Sequence, residues 1–183
     1  MTKQPESTTI IDCTIKGISP LLQHRFPNEE NPEGKVKKKK KVYNAQEDAE
    51  KALYLNEKGK VCQPAIHIER AMAKAAVQIT LEGRKTYKDV INGGVYIYPE
   101  LVPHKNQKWE IDRRPEVVQR ARIMRARPIL KEWELEFELH IVDDRAQIES
   151  IQEILRLAGL YNGLGDRRPR YGRFEVTRFK KRK

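Results

Sequence analysis

The chain has 183 residues, enough for one domain with its own hydrophobic core. Its 37 Lys and Arg outnumber its 26 Asp and Glu, and the formal net charge of +11 favours a polyanionic partner, a nucleic acid before an anionic membrane. No apolar run approaches the length of a membrane-spanning helix, no signal peptide is visible, and the two cysteines are too few for a disulfide framework, so we expect a cytoplasmic protein without a membrane partner.

The first half of the chain predicts one strand and one long helix. Residues 8–16 are rich in β-branched side chains, which is typical of a strand. Pro64 can begin the helix predicted at 64–79, because proline is tolerated in a first helical turn. Apolar residues at helical spacing predict one buried face, formed by Ala65, Ile68, Met72, Ala75, Ala76 and Ile79.

The second half predicts two consecutive strands, a helix and a last strand. We expect the strands at 117–127 and 132–142, the helix at 146–159 and the last strand at 171–179. In the second of these strands, apolar side chains alternate with polar ones, which predicts one buried and one open face. The apolar set is Trp133, Leu135, Phe137, Leu139 and Ile141, and the polar set is Glu132, Glu134, Glu136, Glu138 and His140.

The resulting order, β-α-β-β-α-β, predicts an α+β fold, a ferredoxin-like or RNA-recognition-type sandwich. We expect a single domain over residues 1–183 with two insertions, at about 27–63 and about 81–116. The first insertion contains six lysines within residues 35–41. Such a run repels itself and stays solvated unless an anion is bound, so it is either a solubilising loop or, as we favour in a basic chain, a flexible electrostatic arm.

A glycine- and arginine-rich stretch, residues 163–174, lies between the last predicted helix and the last strand. We call it the Gly/Arg loop; it contains Gly163, Gly165, Gly172, Arg167, Arg168, Arg170 and Arg173. Glycine allows positive φ and close approach of a ligand, and arginine suits bidentate contact with phosphate. The loop is therefore a candidate cradle for a phosphate backbone, and the alternative is a helix cap followed by a solvated basic turn.

The polar face of strand 132–142 argues against a nucleic acid stacked on the sheet. Its row of carboxylates would repel phosphates, and its simplest role is cross-strand pairing with Arg120 and Arg122. We therefore expect weakly sequence-specific, salt-dependent backbone contact through loops and insertions. Besides the Gly/Arg loop, the predicted contacts are His24, Arg25, Lys37, Lys38, Lys39, Lys40, Lys41, Arg70, Lys74, Arg84, Lys85, Arg125 and Arg127.

Two motifs give the chain a resemblance to a known superfamily. The Gly/Arg loop has a defined position between the second helix and the last strand, and residues 61–68 run from a short strand through Pro64 into the first helix. In both respects, and in element order over the whole chain, the sequence resembles the RAMP superfamily, the repeat-associated proteins of CRISPR effector complexes in antiviral defence. The loop departs from the usual pattern in its arginine content and in Asp166.

The resemblance implies a single RAMP-like domain that resembles the backbone subunits of these complexes. Such subunits hold a guide RNA by its phosphates and associate with copies of themselves or with related subunits, and the insertion at 27–63 would act as a basic, thumb-like arm. Similar single-domain proteins of phages and mobile elements imply single-stranded DNA as an alternative ligand. We expect single-stranded RNA to be favoured.

We expect no catalysis and no cofactor or metal. Some relatives of the superfamily cleave guide RNA with a histidine base, and the candidates here are His24, His67, His104 and His140. A metal-free ribonuclease needs a base, an acid and a positive group around one phosphate, and no such set is visible. A guide-RNA-processing endoribonuclease that uses His24 remains an alternative, as does a basic structural or ribosome-associated protein that forms no polymer of its own.

Overall fold

The computed structural model describes residues 8–26, 44–118 and 120–182, and combines helices with antiparallel sheets. The predicted α+β class is confirmed. The strands in these ranges are β1 (Thr9–Gly17), β2 (Leu21–Leu22), β3 (Cys62–Pro64), β4 (Thr80–Glu82), β5 (Lys85–Thr86), β6 (Val95–Tyr98), β7 (Leu101–Pro103), β8 (Glu110–Val118), β9 (Ala121–Leu130), β10 (Glu134–Ile141) and β11 (Phe174–Lys181). The helices are α1 (Ala45–Lys51), α2 (Ala65–Ala75), α3 (Lys88–Gly94) and α4 (Ile148–Leu157).

Four strands form the main sheet, in the order β11-β1-β10-β6, with every neighbouring pair antiparallel. Strand β10 shows the predicted alternation, because Leu135, Leu139 and their apolar neighbours are buried while the glutamates between them are not. In β1, Ile11 and Ile15 are fully buried on the same side of the sheet. The apolar side chains of β1 and β10 therefore supply the central part of the core.

Helices α2 and α4 cover the apolar face of the main sheet. Helix α2 begins directly after Pro64 and buries Ile68 and Met72, as its helical spacing predicts. Helix α4 buries Ile151 and Ile154 in the same core cluster. The opposite face of the main sheet carries exposed polar and aromatic side chains, and we call it the open face. No helix within 8–26, 44–118 and 120–182 is long and apolar enough to cross a membrane.

The predicted strand at 117–127 is wrong as a member of the main sheet. Strands β8 and β9 form a long hairpin there, which pairs with β2 in a separate sheet of order β2-β9-β8. Arg120 lies in the hairpin turn with a φ of 69°, and the side chain of Ile123 is exposed. The place beside β10 belongs to β6, whose four residues are a much weaker sequence signal than the long strands of the hairpin.

The predicted pairing of the β10 glutamates with two arginines of that strand is therefore also wrong. The Nζ atom of Lys105 contacts Glu134 and lies 2.7 Å from Glu136 Oε1. Arg182 lies 2.8 Å from Glu138 Oε1. The carboxylates are neutralised as expected, but by cations from the segment after β7 and from the end of the chain.

The described parts of the two predicted insertions pack against different sheets. The described part of 27–63 contains α1, which Asn44 caps by accepting hydrogen bonds from the backbone N–H groups of Gln46 and Glu47. Helix α1 packs on β9 through Ala45, Ala49 and Ala126, so it belongs with the hairpin. The region 81–116 contains β6, and it therefore includes one strand of the main sheet.

Candidate functional site

Glycines set the backbone of the Gly/Arg loop. Gly163, Gly165 and Gly172 have φ values of 66°, 72° and 73°. A Cβ atom on Gly165 would overlap the carbonyl of Leu22, and one on Gly172 would overlap the backbone of Leu164. These glycines are required by the positive φ and by packing, so their presence does not by itself indicate a ligand.

The Gly/Arg loop is fastened to the segment that follows β1. The backbone N–H of Asp166 donates to the carbonyl of Leu22 at 2.8 Å, and that of Gly172 donates to the carbonyl of Pro20 at 2.8 Å. The backbone N–H of Arg173 donates to Ser19 Oγ at 2.9 Å. Two parts of the chain that are about 150 residues apart in sequence thus form one support for the loop.

Ion pairs join the Gly/Arg loop to the β8–β9 hairpin. Arg127 donates two hydrogen bonds to Glu116, at 2.7 and 2.9 Å, and Arg167 donates a third to Glu116 Oε1 at 2.9 Å. Arg127 Nε also lies 2.8 Å from Asp166 Oδ2, as an ion pair without hydrogen-bond geometry. These hydrogen bonds, led by that from Arg127, lower the pKa of Glu116 to about 2, so its carboxylate stays charged at neutral pH.

An aromatic contact strengthens the same junction. Arg114 donates to Tyr171 Oη at 2.6 Å and lies 5.4 Å from the centroid of the tyrosine ring. The loop and the hairpin are therefore joined at three levels, through Tyr171, Arg167 and Asp166. The side chain of Arg127 is only 6% exposed, and its charge is paired with the carboxylates of Glu116 and Asp166.

His24 lies against this network. Its Nδ1 is 3.8 Å from Asp166 Oδ2, and its Nε2 is 3.3 Å from Arg125 Nη1. Burial, followed by the charge of Arg127, lowers the pKa of His24, so the ring is neutral at pH 7. A cavity of about 390 Å³ opens here, and Arg25 is also part of its lining.

A second depression lies between α2 and the Gly/Arg loop, and we call it the basic groove. Its volume is about 510 Å³ and its lining is Arg70, Lys74, Tyr161, Asn162, Gly165, Asp166, Arg167, Arg168 and Pro169. Arg70 and Lys74 are four residues apart on α2 and share one helix face. Asn162 Nδ2 donates to the carbonyl of Ala71 at 3.0 Å and holds the turn before the loop against α2.

The charges of the basic groove are largely uncompensated. Within 8–26, 44–118 and 120–182, no carboxylate lies at ion-pair distance from Arg70, Lys74 or Arg168. Among the described residues, Asp166 is the one acid of the lining, and it pairs with Arg127. Burial and then the charges of Arg168 and Arg70 lower the pKa of His67 on α2.

The other predicted contacts are distributed over the surface. Arg170 and Arg173 are exposed in the Gly/Arg loop but do not line the basic groove. Arg84 and Lys85 are exposed at the β4–β5 hairpin and do not line it either. The five lysines at 37–41 lie outside the described residues. The structure thus brings Arg70, Lys74, Arg167 and Arg168 together, and it places His24, Arg25, Arg125 and Arg127 around the neighbouring cavity.

The remaining histidines make internal contacts. His67 Nδ1 lies 2.7 Å from Gln63 Nε2, and His104 is buried edge-on against Trp133. Burial lowers the pKa of His104 to about 4. His140 stacks on Tyr96 at the open face. In the described part of the chain, no group of three His, Cys, Asp or Glu side chains is arranged to hold a metal ion.

Sequence reasoning missed two features of the structure, one at the junction of loop and hairpin and one on the open face. Glu116 anchors the loop to the hairpin although it is about 50 residues away from Arg167, and no local pattern indicates that contact. Tyr96 and Tyr98 place aromatic rings on the open face, where the sequence predicted a row of glutamates with His140 and no stacking surface. Their alternation with Val95 and Ile97 was the available signal.

No protein-family model matches this chain, and no curated protein sequence matches it. In fold, it is similar to a chain of the cryo-EM structure of the Type III-B Cmr-beta bound to cognate target RNA, with a TM-score of 0.56 and 13% sequence identity over 96% of this chain. The match spans 61% of the length of that other chain. At this level of identity, the likeness demonstrates a shared fold.

Proposed function

We propose that this protein is a non-catalytic nucleic-acid-binding subunit that holds the phosphate backbone of single-stranded RNA in the basic groove. The observation that carries the proposal is the set of three cations, Arg70, Lys74 and Arg168, that face one depression without an ion-pair partner in the described residues. Unpaired guanidinium and ammonium groups at one site favour a ligand with several negative charges. The fold likeness to a chain of an RNA-bound complex supports RNA as that ligand.

The strand order supports the finer architecture that the sequence predicts. A sheet of order β11-β1-β10-β6, with α2 between β1 and β6 and α4 between β10 and β11, has the arrangement of a ferredoxin-like unit. The β8–β9 hairpin is then an insertion between its second and third strands. We infer a RAMP-like domain on this basis, together with the position of the Gly/Arg loop between α4 and β11.

In the proposed mechanism, one set of residues supports the Gly/Arg loop and another set contacts the phosphates. A network of Glu116, Arg127 and Asp166 joins the Gly/Arg loop to the hairpin. It holds the backbone close to Arg168 in place. Lys74 and Arg70 stand opposite on α2, and phosphates that enter the groove release bound counterions as they are neutralised. Since none of these contacts reads a base edge, the groove binds with little sequence preference.

The decisive comparison uses labelled single-stranded RNA, single-stranded DNA and duplex of equal length at several salt concentrations. We expect single strands to bind, with log affinity falling steeply as log salt rises, and several protomers to saturate one long strand as they associate along it. A preference for RNA supports a subunit of a CRISPR-type effector backbone. A preference for DNA instead supports a phage-type single-stranded-DNA-binding protein, and no binding at low salt contradicts both.

A second candidate function is guide-RNA processing, and the surroundings of His24 favour it. A neutral imidazole beside Arg125 has the properties of a general base next to a cation that stabilises a phosphorane. This function predicts that the wild type cleaves RNA and that His24→Ala abolishes cleavage while binding persists. A wild type that binds RNA without cleaving it removes this candidate.

A further inference from the structure

The open face of the main sheet carries an aromatic cluster at its β6 edge. Tyr96 and Tyr98 alternate with buried residues along β6. Tyr96 is 46% exposed and Tyr98 is 60% exposed. His140 is the cross-strand partner of Tyr96 on β10. We call these three side chains the aromatic patch. Tyrosine is enriched at binding interfaces, and two exposed rings on one face of a strand are therefore a candidate binding surface.

The rings of the aromatic patch are held in place. The imidazole of His140 stacks on Tyr96 with centroids 4.9 Å apart and an interplanar angle of 25°, and it meets Tyr98 edge-on at 6.4 Å. His140 Nε2 lies 3.1 Å from Glu138 Oε2, which fixes the plane of the imidazole. Tyr96 is thus already stacked against the imidazole of His140, while most of the surface of Tyr98 is exposed to solvent.

The charges beside the aromatic patch differ from those of the basic groove. A cleft of about 300 Å³ adjoins Tyr98, and its lining includes Asp12, Glu136, Glu138 and Arg182. Arg182 lies 2.5 Å from Asp12 and 2.8 Å from Glu138, so its charge is shared between two carboxylates. The cleft therefore offers hydrogen-bond acceptors and donors close to a ring but no excess of positive charge. Those properties suit the polar edge and flat face of a base, and they disfavour a phosphate.

The edge of β6 is not open to a peptide strand at its centre. The backbone N–H of Ile97 donates to Glu69 Oε1 at 2.8 Å, so a side chain of α2 already occupies the hydrogen-bonding position that an added strand would need. This contact disfavours a peptide that binds by strand addition and leaves the exposed ring faces as the available surface.

We propose that the aromatic patch is a stacking site for one unpaired nucleobase of single-stranded nucleic acid, with Tyr98 as the stacking ring and the adjoining carboxylates as acceptors for the amino group of adenine, cytosine or guanine. The inference rests on the proposed nucleic-acid binding but concerns a different surface and a different part of the ligand. Stacking adds affinity that depends on the base and not on salt, whereas the basic groove contributes the salt-dependent part.

The test compares an adenosine oligoribonucleotide of about eight residues with an abasic oligomer that has the same number of phosphates. We expect the wild type to bind the adenosine oligomer about 10-fold more tightly than the abasic one. Tyr98→Ala should remove most of that ratio without changing the slope of log affinity against log salt. Tyr98→Phe, which keeps the ring, should retain the ratio.

A second readout is independent of the affinity ratio. An oligomer that carries 2-aminopurine should be quenched on binding to the wild type and to Tyr98→Phe, and much less on binding to Tyr98→Ala. A Tyr98→Ala protein with an unchanged ratio and unchanged quenching overturns the stacking site. If the wild type binds both oligomers equally with a steep salt slope, this inference fails alone, and if it binds neither oligomer, the proposed function fails with it.

Discussion

The basic groove and the open face of the main sheet both carry cationic side chains, but they differ in what surrounds them. On the open face, Arg182 lies between Asp12 and Glu138, and Lys105 lies between two glutamates of β10. The cations there cancel a row of carboxylates and connect neighbouring strands. Such exposed pairs add little stability, but they leave the face close to neutral.

Among the described residues, the basic groove has no such cancellation. Arg70 and Lys74 on α2 and Arg168 in the Gly/Arg loop line the groove, and no acid described by the structure pairs with them, since Asp166 pairs with Arg127. The positions of the unpaired charges therefore say more about the partner than the net charge of +11 does. Paired charges build the scaffold, and unpaired charges remain available to a ligand.

The largest expected effect on stability comes from breaking the paired network. Glu116→Gln keeps the shape of the side chain but removes the charge that Arg127 and Arg167 share, and Arg127 is almost fully buried. We expect the free energy of unfolding to fall by about 2 kcal/mol in urea denaturation at neutral pH.

The control for that variant is Glu175→Gln, which removes an exposed carboxylate from β11. Its free energy of unfolding should stay within about 0.5 kcal/mol of the wild type. Equal stability of the Glu116 variant and the wild type would mean that the network does not hold the Gly/Arg loop.

A pH series tests the charge of Glu116 in the same network. The pKa of Glu116 is lowered from its ordinary 4.5 to about 2, so the stability it contributes is present above that ordinary value and is lost as pH falls towards the lowered one. The stability difference between the wild type and Glu116→Gln should therefore shrink as urea denaturation is repeated from about pH 6 down to about pH 3. A difference that stays constant over this range would show that the carboxylate charge is not what Arg127 requires.

The smallest expected effect on stability comes from the unpaired cations. Arg168→Ala removes an exposed guanidinium that has no ion-pair partner among the described residues. Its free energy of unfolding should change by less than about 0.5 kcal/mol. A clear loss of stability would indicate a structural role for Arg168 and weaken its assignment to ligand contact.

Regular periodicity made much of the fold predictable. The alternation in β10 and the helical spacing in α2 and α4 each depend on residues close in sequence, and all three elements lie where they were predicted. Local periodicity could not show that β6, and not a strand of the hairpin, lies beside β10 in the main sheet. Strand β6 has four residues between Gly94 and Pro99, and its membership of the main sheet follows only from pairing with β10.

The candidate site was predictable in its residue types but not in its connections. The arginines of the Gly/Arg loop and the basic residues of α2 were visible as charge patterns. Which of them remain unpaired depends on Glu116 and Asp166. These carboxylates pair with Arg127 and Arg167 through contacts within the β8–β9 hairpin and between the hairpin and the Gly/Arg loop. Long-range competition for carboxylates has no signature in a local window of sequence.

Two triple variants, each of which removes three cations, test the role of the unpaired charges. One triple variant carries Arg70→Ala, Lys74→Ala and Arg168→Ala in the basic groove. The matched variant carries Arg145→Ala, Arg156→Ala and Lys131→Ala, which removes the same number and kinds of charge from side chains paired with Asp143, Glu153 and Glu110.

Affinity for single-stranded RNA is then measured over a range of salt concentrations. The groove variant should bind about 100-fold more weakly at low salt, with a slope of log affinity against log salt that is smaller by about 2, while the matched variant stays within about 3-fold of the wild type. Equal losses in the two variants would contradict the account, because binding would then follow the total charge of the protein and not the unpaired cations of the groove.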